Sequence, residues 1–207
     1  MTGQTLEAYF QQHIFKPLGM RDTSFLLSDD MARRLVGAHF RGPDGKPVPI
    51  SFESPKDADF HAGGAGLFST APDYLAFTRM LMGGGTLDGV QVLKQETAKL
   101  MARNAIGDLD VPRVRSNNPA LALEVETFPG QVKKWGLTFL INTKDVEGFR
   151  AAGSLTWGGI HNTYFWIDLK RRITVVAMMQ ILPIGDRSAR TRDHDRLRAC
   201  TLCDDRG

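Results

Sequence analysis

Three groups of residues in this 207-residue chain are of types that chemistry uses. The first is Trp157-Gly158-Gly159-Ile160, at the end of an apolar run. Paired glycines at a strand end let backbone come close to a ligand. The same triplet also describes a bulged strand end with no ligand. The second group is Ser69 and Ser154 with His61 and His161, the ingredients of a Ser-His-Asp triad. Ser154 lacks the Gly-x-Ser-x-Gly elbow, and nothing in the spacing assembles a triad, so the histidines read as structural. The third is Asp193-His194-Asp195 with Cys200-x-x-Cys203. A closed metal site needs a second ligand pair, which is missing, so no metal and no other cofactor is expected.

These residues need elements to hold them. Thr5 is a helix N-cap, and Leu6, Tyr9, Phe10 and Ile14 follow at helical spacing until Pro17 and Gly19. Ser28-Asp29-Asp30 starts a short second helix. Leu35 to Arg41 reads as a strand, and Gly42-Pro43-Asp44-Gly45 turns it into a hairpin with Val48 to Phe52. Gly63-Gly64-Ala65-Gly66 is a loop, with or without an approach to the site. Thr70-Ala71-Pro72-Asp73 has the form of a capping box, before a one-sided apolar stripe of Tyr74, Leu75, Phe77, Thr78 and Leu81. Gly83-Gly84-Gly85 ends that helix. Gln95 to Arg103 is another, with Thr97, Leu100 and Met101 expected inward. Asn104 to Gln131 has no period. Trp135–Asn142, Phe149–Trp157, Asn162–Asp168 and Ile173–Gln180 are four candidate strands, joined by short links that favour an antiparallel meander. The fold class is α+β: an antiparallel sheet with flanking helices.

Composition narrows the function classes. Hydrophobic residues make up 42% and charged residues 24%, which is globular. A net charge of +3, evenly spread, gives no case for nucleic acid or membrane binding. No apolar run is long enough to span a bilayer. Met1-Thr2-Gly3-Gln4 has no basic n-region or apolar h-region, so no signal peptide is visible and localisation stays open, with the cytoplasm as the default.

Three segments, in order, resemble the β-lactamase-related serine hydrolases. They are Ile14 to Phe25 with its Pro17-Leu18-Gly19-Met20, then Ala62 to Asp73 with the following helix and glycines. The third is Leu155-Thr156-Trp157-Gly158-Gly159-Ile160 with Tyr164 to Asp168. They cover residues 1 to about 182 and are most similar to class C β-lactamase-like enzymes and family VIII-type carboxylesterases. The resemblance implies the C-terminal part of the β-lactamase/transpeptidase-like fold. It places Trp157, Gly158 and Gly159 where β-lactamases carry Lys-Thr-Gly, and makes the Ile160 N–H the second oxyanion donor. Tryptophan in place of lysine removes a cation for a β-lactam carboxylate, so the chemistry leans to esters. The substrate-binding candidates are therefore Trp157, Gly158, Gly159 and Ile160.

No catalytic residue is assigned. The family's nucleophile is the serine of Ser-x-x-Lys, helped by Tyr-x-Asn. None of Ser24, Ser28, Ser51, Ser54, Ser69, Ser116, Ser154 or Ser188 has a lysine three residues later, and none of Tyr9, Tyr74 or Tyr164 has an asparagine two residues later. The resemblance puts both motifs upstream, so the chain reads as a fragment, inactive alone, of a parent acting on a small ester or amide. Residues 183–207 read as an aberrant charged tail. One codon choice for Asp195 to Cys203, read in a neighbouring frame, restores the apolar pattern of the family's last helix, and a frameshift near residue 185 is expected. The alternative is a non-catalytic binding or interaction domain, or half of a complementing pair. An exposed sheet face and edge predict self-association and poor solubility.

Overall fold

A computed structural model describes residues 2–51 and 60–185. The expected tail beyond residue 185, with Asp193-His194-Asp195, Cys200 and Cys203, lies outside the described residues, as does Phe52 of the expected hairpin.

The first helix is α1 (Leu6–Phe10), continued by a wide helical turn over Gln11–Phe15. Thr5 Oγ1 accepts from the Ala8 N–H at 3.1 Å, the expected cap. Glu7 is buried on this helix. It accepts from the Phe25 N–H (2.7 Å), Ser24 Oγ (2.8 Å) and Gln11 Nε2 (2.8 Å), so one carboxylate ties the helix to the segment that leaves it. Ser28 caps α2 (Asp29–Arg34) by accepting from the Met31 N–H.

α3 (Ala71–Met82) starts at Thr70, whose Oγ1 accepts from the Asp73 N–H at 3.4 Å. The capping box is only half made. Asp73 turns its carboxylate away and accepts from the Asp22 N–H (2.8 Å) and Thr23 Oγ1 (2.9 Å). The helix start thus doubles as a clamp on the chain after α1.

β1 (His39–Arg41) and β2 (Pro47–Pro49) form the expected hairpin, shorter than the apolar pattern suggested. β1 also pairs in parallel with β10 (Ile181–Leu182), a mixed three-stranded sheet that the meander pattern did not foresee. β3 (Thr86–Leu87) and β4 (Val90–Gln91) make a small hairpin after α3. α4 (Gln95–Met101) corrects its expected face: Ala98 is buried, whereas Thr97 and Leu100 face solvent. A helix this short needs only one contact row, and Ala98 with Met101 supplies it.

The main sheet runs β5-β6-β7-β8-β9, antiparallel throughout, as the meander required. The expected strand Trp135–Asn142 is two strands, β5 (Lys133–Trp135) and β6 (Leu140–Asn142), because Gly136 N–H bonds back to Phe139 O at 2.8 Å. The strand expected from Phe149 starts only at Leu155 (β7, Leu155–Gly159), after a turn through Gly153 at φ +85°. β8 (Thr163–Asp168) lies between β7 and β9, and β9 (Ile173–Ala177) is one edge strand.

α3 packs on β8 and β9. Met80, Leu81 and Phe77 meet Phe139, Ile141, Leu155, Phe165 and Ile167. Met80 and Ile167 are fully buried, and each such side chain is worth roughly 1.5–3 kcal/mol on transfer from water. On the other face Trp166 lies under Phe149 and the Arg150 guanidinium. Asp168 ends β8 fully buried. It accepts from the N–H groups of Ala151 (2.7 Å), Arg171 (2.8 Å) and Lys170 (3.1 Å).

Candidate functional site

The four sequence candidates sit together at one end of the sheet. Trp157, Gly158 and Gly159 pair with Phe165, Tyr164 and Thr163 of β8. On the other side the β6–β7 ladder stops at Leu140–Thr156, so Trp157 to Gly159 are paired on one side only. Ile160 follows in a turn closed by the Asn162 N–H on Gly159 O at 3.0 Å. The Ile160 N–H meets no carbonyl among the described residues, and its side chain is 40% exposed. A donor in that position is available to a ligand oxygen.

The glycines also permit close packing on β8. A Cβ on Gly158 would lie 2.7 Å from the Tyr164 ring and 2.9 Å from Thr163 O, and a Cβ on Gly159 would lie 2.4 Å from Thr163 Oγ1. Gly158→Ala is therefore expected to cost about 1–3 kcal/mol by overpacking, with no ligand present. Equal thermal melts for this variant and the native chain would show that Tyr164 yields.

Trp157 is 46% exposed and meets Trp135 edge to face, ring centres 4.6 Å apart at 86°. Trp135 was not a sequence candidate. It lies on β5, and only the β5–β6 hairpin brings it near. Asn162 was missed too. It is fully buried at φ +63°, with Nδ2 donating to Ile181 O (2.8 Å) and Pro183 O (2.9 Å), while Oδ1 accepts from Tyr164 Oη (2.8 Å) and the Gly185 N–H (3.2 Å). An asparagine opening an apolar alternation was the available signal, read only as a strand start.

No triad forms from the candidate serines and histidines. Ser154 Oγ is buried and donates to Ala151 O at 2.7 Å, and Ser69 Oγ shares a 2.8 Å bond with Thr23 Oγ1. His61 stacks on Phe25 at 4.9 Å and takes the Glu7 N–H on Nδ1 at 3.4 Å. The Gly63 to Gly66 loop leads to Phe68, which bridges Ser24. Among the described residues no group of three His, Cys, Asp or Glu could hold a metal, and no helix is long and apolar enough to cross a membrane.

His161 sits in the Ile160 turn, where burial holds its imidazole below the usual 6.5. The unfolded chain takes up that proton first as pH falls. The stability present above about 6.5 therefore drains away as pH drops through the lower folded value. Melting points from pH 7 to 5 should fall, and His161→Gln should flatten the trend. An identical slope in the variant would assign the effect elsewhere.

The arrangement is that of the β-lactamase/transpeptidase-like fold. A family model described as Beta-lactamase matches residues 1–199, and the chain belongs to that family. Lovastatin esterase of Penicillium rubens is 30% identical over 199 residues, covering 90% of this chain and 48% of its own length. Monacolin J acid methylbutanoyltransferase of Aspergillus terreus is 30% identical over 200 residues, covering 89% and 46%. The solved simvastatin synthase of Aspergillus terreus, unliganded, superposes with a TM-score of 0.78 at 27% identity, covering 100% of this chain and 52% of that one. The chain spans about half the length of the relatives it matches.

Proposed function

We propose that this chain forms the substrate-facing wall of an acyl-transfer enzyme, an esterase or acyltransferase, and holds no nucleophile of its own. The observation that carries the reading is the half-paired end of β7. Trp157 to Gly159 are bonded to β8 on one side, and the Ile160 N–H beyond them has no carbonyl partner among the described residues, which suits a donor to an oxyanion. Trp157 offers an apolar surface beside that donor and no cation, which suits a neutral ester. The relatives named for esterase and acyltransferase chemistry support that class. The serine attack, with its general base, falls to a Ser-x-x-Lys and Tyr-x-Asn pair, and neither motif occurs in this sequence.

Incubation with a fluorophosphonate and with p-nitrophenyl butyrate tests this. The chain alone should label no serine and hydrolyse no faster than buffer. Addition of a polypeptide carrying Ser-x-x-Lys and Tyr-x-Asn should produce labelling on that second polypeptide. A labelled serine within this chain would overturn the reading.

We also propose self-association through β9. Its Ile173-Thr174-Val175-Val176-Ala177 run is uncharged, mostly β-branched and, among the described residues, paired on one side only. Such an edge is a template for another strand. Val175→Lys should shift sedimentation toward the monomer, and an unchanged distribution would rule out this edge.

A further inference from the structure

We infer that Asn162 is a positioning residue for the oxyanion donor, holding the Ile160 turn in the one shape that turns its N–H outward. The inference rests on the reading of Ile160 as a donor, but its geometry is independent of any turnover.

The side chain of Asn162 has two donor hydrogens and two acceptor sites, and all are used within the protein. Nδ2 spans two carbonyls of the 181–183 segment. Oδ1 gathers the Tyr164 hydroxyl and the Gly185 N–H. The backbone of the same residue closes the turn onto Gly159. The Tyr164 ring that Asn162 anchors lies against Gly158, so both ends of the 158–162 stretch answer to one amide. A second brace runs parallel to it: the Ile181 N–H donates to His161 O at 3.2 Å.

The left-handed backbone alone does not explain this residue. Glycine satisfies φ +63° at less strain, yet glycine has none of the four bonds. The competing account is that Asn162 serves only to anchor residues 181–185. The two accounts differ in which segment loosens when the side chain is removed.

Hydrogen exchange read by mass spectrometry on the whole chain separates them. In Asn162→Gly, the peptide over residues 158–163 should exchange at least about tenfold faster, the size expected when net hydrogen bonds are lost from a local opening equilibrium. The β9 peptide over residues 171–177 should keep its rate and report that the sheet is intact. If only the 179–185 peptide speeds up, Asn162 is an anchor and the inference fails. If Asn162→Gly does not fold, Tyr164→Phe removes the hydroxyl that donates to Asn162 Oδ1 and should give a smaller acceleration at 158–163; no change there overturns the proposal. Faster exchange with no effect of either variant on ester hydrolysis in the reconstituted pair would leave the positioning in place and sink the oxyanion reading of Ile160.

Discussion

Asp168→Ala is expected to lower the unfolding free energy by about 3–5 kcal/mol, the cost of leaving the buried Ala151 N–H without an acceptor and the buried Arg150 cation without its nearby negative charge. Three backbone N–H groups, from Ala151, Lys170 and Arg171, converge on this carboxylate; the Ala151 N–H is buried, whereas Lys170 and Arg171 lie in an exposed turn where water can replace the lost acceptor. A second loss adds to the first. Arg150 is 93% buried by area, at 7% exposure, and its Nε and Nη1 find no acceptor among the described residues. Burial pushes its guanidinium down to about 9, and the charge of Asp168 works against that push. The rings of Phe149, Phe128 and Trp166 lie 4.4, 4.9 and 5.0 Å from the cation and give it partial shelter. Without Asp168, those rings are the remaining compensation. Thermal melts by near-ultraviolet circular dichroism should show a drop of roughly 10 °C for a chain of this length. Asp168→Asn should fall between, because one oxygen still serves Lys170 and Arg171. A melt within a degree or two of native would mean that water reaches the Ala151 N–H.

Glu7→Ala should cost about 2–3 kcal/mol, chiefly because the Phe25 N–H is left buried without an acceptor. Ser24 and Gln11 lose their partner as well, but both can turn toward water. Denaturant unfolding with an unchanged slope would measure this cleanly, since a changed slope means altered compactness. Glu7→Gln should retain more than half of the stability, as its amide oxygen can still take the Phe25 N–H. If Gln and Ala are equally damaging, the negative charge matters and not the acceptor.

Neither carboxylate was visible as an anchor in the sequence. Glu7 sits in a helix's first turn and Asp168 at a strand end, and their buried partners, the Phe25 and Ala151 N–H groups, lie 18 and 17 residues away, beyond the reach of a local period. What was legible followed local periods. The caps at Thr5, Ser28 and Thr70 all form, and the region of the four predicted strands is an antiparallel meander, of five strands where four were expected. The apolar pattern did not reveal where strands stop, since Trp135–Asn142 is continuous in hydrophobicity and folds back at Gly136. It also misassigned the inward face of α4. The site strand was legible only through resemblance to a family. The space beside its glycines is taken by Tyr164 and Thr163, a contact that no reading of the triplet alone supplies.

The parallel pairing of β1 with β10 has a kinetic consequence. Strands β5 to β9 join neighbours along the chain, so their loops close at small entropic cost and can form early. His39 against Ile181 closes a loop of 142 residues (181 − 39), and such a contact gains little until the intervening meander is in place. The carbonyls that Asn162 grips belong to that same late-docking segment. The turn bearing the Ile160 N–H is therefore expected to take its final shape only after the meander has formed.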